Sequence, residues 1–284
     1  YVERQAELCA IAAHNFPALD LNHISVRNDD GVAYLEAMSP VDCIFLDPAR
    51  RNEHGGKTVA ISDCEPNVAE LEGLLLSKAN RIMIKLSPML DLSQALKELP
   101  HTQEVHIISV NNECKELLLL LGQTAPEEIP VHCVNLSTKG EQEKQLFVFT
   151  REQEQHSECS YTDTLGNYLY EPNASLLKAG AFRSIAVAYS VKKLHPNSHL
   201  YTSETQIEGF PGRTFRIINR CSLNKKEIKE NLSDLKKANI TVRNFPATVA
   251  ELRKRIKLAE GGDSYLFAST LNDGQKILIR CGKV

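Results

Sequence analysis

Short apolar runs alternate with longer amphipathic segments through the first half of the chain. Runs with the length and Ile/Val content of strands lie at residues 23–28, 42–47, 81–87, 104–110 and 145–150. Segments of helical period lie at 4–16, 67–79 and 92–99. This alternation predicts an α/β fold in which helices cover both faces of a largely parallel sheet. In such sheets, ligands bind beyond the carboxyl ends of the strands.

Polar residues accumulate at those predicted strand ends. They are Glu3, then Asp29 and Asp30, then Asp47, then Ser87 and Pro88, then Asn111, Asn112 and Cys114. A single polar strand end can be a helix cap, and Asp47 before Pro48 is open to that interpretation. Five in succession favour a binding crevice.

Composition excludes several classes of protein. No apolar run in the 284 residues approaches the roughly 18 residues that a membrane span needs. The start of the chain has no basic-apolar-small pattern that would direct export. The 8 cysteines occur singly, without a C-x-x-C pair, which favours reduced thiols over disulfides or zinc. The sequence therefore predicts a cytoplasmic protein with no metal and no membrane partner.

Positive charge is concentrated at the C-terminal end. Residues 222–284 contain 13 Lys and Arg against 7 Asp and Glu, a net charge of +6, whereas the remainder carries −9. Such a segment suits an anionic partner such as nucleic acid, although a lysine-rich, solvated helix surface would have the same composition.

The acids have specific uses if the sheet binds a nucleotide. Glu3, after one strand, could accept hydrogen bonds from both ribose hydroxyls, and Asp30 could meet an adenine amine, with Asp29 as its competitor. Asp47 and Pro48 place a carboxylate beside a backbone carbonyl, because proline has no N–H. Such a pair could orient an amine or a base edge for attack.

Glu3, the Asp30 turn and "DPARR" (47–51), in that order, resemble the class I S-adenosylmethionine-dependent methyltransferases. Together, four stretches resemble the bacterial subgroup with a THUMP-like C-terminal domain. They are "FLDPARR" (45–51), "IKLSPMLD" (84–91), "SVNNECKELL" (109–118) and "YLYEPNASLLKAGAF" (168–182). The resemblance covers essentially the whole chain and implies S-adenosylmethionine as cofactor.

The resemblance also implies a domain order. A Rossmann-like methyltransferase sheet would occupy residues 1–155, a small ferredoxin-like α+β module 160–220, and a THUMP-like α+β domain 221–284. In that fold, a strand and a glycine-rich loop that cradle the cofactor precede the acid that Glu3 resembles. Only Tyr1 and Val2 precede Glu3 here, so we expect this chain alone to bind the cofactor poorly and to be inactive.

The "DPARR" stretch departs from the pattern of enzymes that methylate exocyclic amines. Ala49 and Arg50 stand where those enzymes resemble one another in having a second proline and an aromatic residue. A guanidinium can stack on a base or pair with phosphate, so Arg50 and Arg51 remain candidate substrate contacts. The predicted catalytic group is Asp47, Pro48 and Arg50, and Asp47 is also predicted to contact the cofactor.

Cys114 offers a second chemistry. Enzymes that methylate pyrimidine carbons first add a thiolate to the ring. The competing interpretation places Cys114 in the first turn of a helix that Asn112 caps. We favour the helix, because no histidine or second cysteine lies nearby in sequence to activate the thiol.

Beyond residue 150, a polar stretch at 151–164 is predicted to be a linker. Farther on, Thr248 and Glu251 have the spacing of a capping box, and 272–274 predict a hairpin turn. THUMP-type modules present RNA to an attached modifying enzyme. That property would make Arg253, Lys254 and Lys257, at helical spacing, candidate phosphate contacts, although a solvated helix face explains them nearly as well.

The sequence therefore predicts a methyltransferase that acts on a base in RNA. Two alternatives remain open. The chain could be a catalytically inactive RNA- or nucleotide-binding module, or a methyltransferase acting on a protein or a small molecule.

Overall fold

The structure is a computed structural model that describes residues 1–50, 60–138 and 144–284, without the side chain of Arg50. It divides into two compact units. The first comprises Tyr1–Val105 and Glu116–Ile129, and the second comprises His106–Lys115 and Pro130–Val284. Within the described ranges, no helix has the length and apolar character needed to cross a membrane.

In the described ranges, strands and helices are interspersed up to residue 98, and four strands then follow up to residue 150. The strands are β1 (Val2–Glu3), β2 (Arg27–Asn28), β3 (Val41–Leu46), β4 (Ala49–Arg50), β5 (Cys64–Glu65), β6 (Ala79–Leu86), β7 (Thr102–Val110), β8 (Glu113–Leu121), β9 (Pro130–Leu136) and β10 (Lys144–Thr150). The helices are α1 (Ala6–Ala18), α2 (Gly31–Ala37), α3 (Val68–Lys78) and α4 (Leu92–Glu98), with a 3-10 turn at Ile61–Asp63.

Five helices and seven strands come next within the described part of the chain. The helices are α5 (Arg151–His156), α6 (Ala174–Ala179), α7 (Ser184–Ala188), α8 (Lys225–Leu232) and α9 (Val249–Ile256). The strands are β11 (Tyr168–Pro172), β12 (Lys192–Lys193), β13 (Tyr201–Ser203), β14 (Gly212–Cys221), β15 (Asn239–Val242), β16 (Ser264–Thr270) and β17 (Lys276–Lys283).

In the first unit, β1 pairs with β2 and β3 pairs with β6, both in parallel. Strand β8 pairs with β6 in the antiparallel sense. Alternate residues of β6 and β8 are buried, as the period of two in a strand requires. They are Ile82, Ile84, Leu86, Leu117, Leu119 and Leu121.

Two sequence predictions fail in the first half of the chain. The run at 23–28 forms a strand only at Arg27–Asn28. The predicted helix after Asn112 is strand β8, because Asn111 and Asn112 both have positive φ, 50° and 64°. Two such residues reverse the chain into a hairpin. Strand β8 therefore runs antiparallel to β6, and the sheet is less parallel than predicted.

In the second unit, β9 and β10 form an antiparallel pair, and seven strands form one sheet. Its order is β12-β13-β11-β14-β17-β16-β15. All of its pairings are antiparallel except β15 with β16. The predicted turn at 272–274 joins β16 to β17, with Gly274 at φ 87°.

Strands β16 and β17 of this sheet have buried residues on both faces. One face packs Phe215, Phe267 and Ile279 into a cluster with Leu169 and Leu200. The opposite face packs Leu266, Ala268 and Leu278 against α8 and α9 through Leu232 and Leu252. Successive residues of β16 therefore pack into different hydrophobic clusters, one on each face of the sheet.

Helix caps agree with the sequence signals in the second unit. Thr248 and Glu251 form the predicted capping box at the start of α9. The stretch at 151–164 is not wholly a linker, because Thr150 and Gln153 form another capping box that starts α5. Thr-x-x-Gln at 150–153 was the sequence signal for that helix.

Candidate functional site

Acidic residues stand at the carboxyl ends of three strands in the first unit. Glu3 ends β1, Asp29 and Asp30 come after β2, and Asp47 comes after β3. Because β1 and β2 are parallel, their ends lie at the same edge, and the Asp29 N–H donates to the Glu3 carbonyl at 3.2 Å. Glu3 and Asp29 are therefore neighbours, as the sequence predicted.

The Glu3 carboxylate is only partly engaged by the protein. Its Oε1 accepts the Gln5 N–H at 2.8 Å, which shapes the turn into α1. No described residue donates to its other oxygen. One carboxylate oxygen of Glu3 can therefore accept a hydrogen bond from a hydroxyl group.

Asp30 caps α2. Its Oδ1 accepts the N–H groups of Val32 and Ala33 at 2.9 and 3.0 Å. Asp29 Oδ1 accepts the Asp30 N–H at 2.8 Å. Each acid therefore has a local structural role, and the second oxygen of each has no donor among the described residues.

Asp47 is paired with a lysine that was not predicted from the sequence. Lys85 Nζ lies 2.7 Å from Asp47 Oδ2. Leu46 and Ile84 are partners in the parallel β3–β6 register, so Asp47 and Lys85 are the next residues along. The "K" of "IKLSPMLD" was the available signal, but only the strand register shows that it meets Asp47.

Arg4 and Glu65 connect two parts of this region. The Arg4 guanidinium donates to Glu65 at 2.7 Å, and the side-chain hydrogen bond raises the pKa of Arg4, with smaller contributions from Asp30 and Glu3. The backbone of Glu65 pairs with Ala49 in β4. The Glu3 and Asp30 end of the sheet and the "DPAR" strand are therefore neighbours.

The structure describes the "DPARR" stretch only as far as the backbone of Arg50. Pro48 is buried, whereas Asp47 and Ala49 are exposed. The backbone of Arg50 pairs with Cys64 in the β4–β5 ladder. Arg51 lies outside the described residues, so the substrate contacts predicted for Arg50 and Arg51 stay predictions.

Cys114 is poorly suited to nucleophilic attack. It lies on strand β8, and burial raises the pKa of its thiol, although Ser109 and the charge of Lys178 act in the opposite direction. A thiol with a raised pKa carries less thiolate at neutral pH. The structure thus replaces the predicted helix with a strand and still disfavours Cys114 as a nucleophile.

Two stretches of the sequence resemblance meet in the second unit. Asn112 Oδ1 accepts the Ala174 N–H at 2.8 Å, and the Asn112 N–H donates to Asn135 Oδ1 at 2.9 Å. Asn173, which is 1% exposed, caps α6 and donates to Gln145 Oε1 at 3.1 Å. These hydrogen bonds fix the start of α6 on the β7–β8 turn.

The predicted basic face of α9 is divided. Arg253 donates to the Ala238 carbonyl at 3.2 Å, and its side chain is 19% exposed. Lys254 and Lys257 are exposed, and Lys257 ends the helix with φ 58°. Lys254 and Lys257 are thus accessible to an anionic partner, whereas Arg253 is engaged in the fold.

Two family models and a solved structure are similar to this chain. A ferredoxin-like domain family model matches residues 168–211, and a THUMP domain-like family model matches residues 212–283. The chain is 38% identical to a "putative methyltransferase" from Porphyromonas gingivalis W83, known from its crystal structure. That similarity covers 100% of this chain and 71% of the other, with a TM-score of 0.89.

The chain belongs to the bacterial methyltransferase family with a THUMP-like C-terminal domain. The predicted family and fold class are confirmed. No curated protein matches the chain. In this methyltransferase the two matched domains share the seven-stranded sheet of the second unit, since β11 to β13 come from one and β14 to β17 from the other. The predicted boundaries at residues 155, 160 and 220 stay predictions.

Proposed function

We propose that this methyltransferase uses S-adenosylmethionine to methylate a base in RNA. The observation that carries the proposal is the row of carboxylates at the ends of β1, β2 and β3, in a chain of the methyltransferase family. S-adenosylmethionine would supply the methyl group from its sulfonium. The chain's own residues would bind and orient the reactants.

The carboxylates fit the donors of this cofactor. Ribose hydroxyls and an adenine amine are hydrogen-bond donors, and ionised carboxylates only accept. Glu3 has one oxygen without a described donor and would hold the ribose. Asp30 would face the adenine with the oxygen that does not cap α2, and Asp29 is its alternative.

Asp47 would act on the substrate side. Its carboxylate would accept a hydrogen bond from the reacting group, with the Pro48 carbonyl beside it. Lys85 holds the Asp47 carboxylate at 2.7 Å and so limits its orientations. Alignment of this kind supplies much of the rate in a displacement reaction, without dedicated acid-base groups.

The C-terminal part supports RNA as the substrate. Residues 212–283 match a THUMP domain-like family, and the +6 charge of residues 222–284 favours a polyanion. Exposed Lys254 and Lys257 would contact phosphates. A protein or small-molecule substrate would give these charges no role, and an inactive binding module would bind RNA without transferring a methyl group.

Glu3→Gln in the full-length protein tests the cofactor assignment. Glutamine keeps an oxygen for the Gln5 N–H but replaces the second oxygen with an uncharged NH2 group, which cannot accept a hydrogen bond from a ribose hydroxyl. We expect affinity for S-adenosylmethionine to fall by about 1–3 kcal/mol in calorimetry. Glu7→Gln is the matched control, because Glu7 is an exposed acid on α1 without a partner among the described residues. This variant should bind S-adenosylmethionine with wild-type affinity. Equal affinities for Glu3→Gln and wild type would remove Glu3 from the cofactor site.

A further inference from the structure

One buried carboxylate in the second unit holds two arginines. Glu171, on β11, is 2% exposed. Its Oε2 accepts Arg213 Nε at 2.9 Å and also accepts Arg213 Nη2. Its Oε1 accepts Arg243 Nη2 at 2.9 Å and Nε at 3.3 Å. Arg213 pairs directly with Glu171 in the β11–β14 register, whereas Arg243 comes directly after β15.

The charges of this cluster do not cancel. Two guanidinium groups share one carboxylate, and no other acid forms an ion pair with either arginine in the described part of the chain. By contrast, Arg280 forms a one-to-one ion pair with Asp234 at 2.8 Å among the described residues. The Glu171 cluster therefore retains one net positive charge.

Both arginines carry donors that Glu171 does not use. A guanidinium carries five N–H donors, and each arginine directs only its Nε and Nη2 at Glu171. The Nη1 groups have no acceptor among the described residues. The side chains of Arg213 and Arg243 are 40% and 36% exposed. Arg213 is also held over the Phe215 ring, 5.4 Å from its centroid.

Neighbouring groups add positive potential. Lys193 is 2% exposed, and its ammonium donates to the Pro196 carbonyl. Burial lowers the pKa of His199 to about 4, and the charges of Lys193 and Arg243 contribute to that shift. The carboxylate of nearby Glu154 is already hydrogen-bonded, because it accepts the backbone N–H groups of residues 182–184.

We infer that Arg213 and Arg243, oriented by Glu171, bind a phosphate group of the RNA backbone. This inference rests on the proposed function. Two planar guanidinium groups fixed by one carboxylate suit the several oxygens of a phosphate, and their geometry is set before binding. Glu171 is a positioning residue, since it acts through the arginines. The cluster joins two matched segments, because Glu171 lies in the ferredoxin-like one and both arginines lie in the THUMP-like one.

Salt-dependent RNA binding tests this cluster. Anisotropy of a labelled single-stranded RNA would be measured between about 50 and about 200 mM salt with the full-length protein. We expect Arg213→Gln and Arg243→Gln each to lower the slope of log affinity against log salt by about 0.7, because one phosphate is no longer neutralised. At low salt, each should weaken binding several-fold.

Arg216→Gln is the matched control. Arg216 lies on the same strand, is exposed and has no described partner. Three residues along the strand place it on the face opposite Arg213. Its replacement removes the same charge and should leave the slope unchanged. Equal losses for Arg216→Gln and Arg213→Gln would reduce the effect to net charge and overturn the inference.

Folding is controlled separately. If the Gln variants melt below the assay temperature, Arg213→Lys and Arg243→Lys replace them. Lysine keeps the charge and a bond to Glu171 but has no further nitrogen with which to reach a phosphate. These lysine variants should bind RNA at least about threefold more weakly. Unchanged RNA binding in well-folded variants would make the cluster purely structural and leave the proposed function intact. Absence of RNA binding by wild type would overturn both.

Inorganic phosphate distinguishes the two sources of the anion. For an RNA backbone site, inorganic phosphate should compete only at millimolar concentration, because one phosphate offers a single contact. Displacement of RNA by micromolar phosphate would instead indicate a site for free phosphate and contradict the assignment to RNA.

Discussion

At the residue scale, we expect the burial of His199 to make folding sensitive to pH. Its ring stacks on Phe182 with centroids 3.6 Å apart, and its buried Nδ1 has no hydrogen-bond partner among the described residues. Its pKa in the folded protein is about 4, below the value of about 6.5 in an unfolded chain. The unfolded state therefore binds more protons between these values. Stability contributed by neutral His199 is fully present above about pH 6.5 and is lost as the pH falls toward 4.

His199→Asn should reduce this pH dependence. The residue has φ 53°, a conformation that asparagine tolerates better than most residues. We expect wild type to lose about 1–3 kcal/mol more than the variant between pH 7 and about pH 4.5, in urea unfolding of the full-length protein. Comparing the two proteins cancels the carboxylates that also titrate in this range. Parallel curves would show that His199 does not titrate with folding.

At the element scale, the β7–β8 turn determines whether the next segment is a helix or a strand. "NECKELLLLL" is compatible with a helix by composition, and Asn112 is a good helix cap. The chain instead uses Asn111 and Asn112 in a left-handed turn, and the apolar residues of β8 alternate between buried and partly buried positions. The signal was local, because consecutive asparagines favour a two-residue hairpin turn. The partners of Asn112 on α6 are distant in sequence and could not be predicted.

Substitutions at Asn112 separate the turn from its contact. Asn112→Gly keeps the left-handed backbone but loses the bond to the Ala174 N–H, whereas Asn112→Ala loses both. We expect Asn112→Gly to lower the free energy of unfolding by about 1–2 kcal/mol and Asn112→Ala by about 1 kcal/mol more. Denaturant titration of both variants measures the difference. Equal losses would mean that the positive φ adds no strain for alanine.

At the scale of the whole molecule, the sequence predicts the kind of fold correctly. It does not predict which side chains form ion pairs with each other. Strand ends and caps could be predicted because their signals are local, as for Glu3, Asp30 and Thr248. Lys85 beside Asp47, and Glu65 beside Arg4, depend on strand register and on loops that return from far along the chain. Glu171 has no sequence signal beyond its place in a family stretch, since its burial and its two arginines arise from the sheet.

Single-turnover methyl transfer tests the central proposal most directly. Radiolabelled S-adenosylmethionine and unmodified transcripts of the organism's own tRNA and rRNA would be mixed with the full-length wild type, Asp47→Asn or Asp42→Asn. Asp42 is an exposed acid on β3, the strand that Asp47 follows. We predict label in RNA bases with wild type and Asp42→Asn, about a hundredfold slower transfer with Asp47→Asn, and cofactor affinity within a few fold for all three. RNA that stays unlabelled with wild type, or an equal rate with Asp47→Asn, would contradict the account.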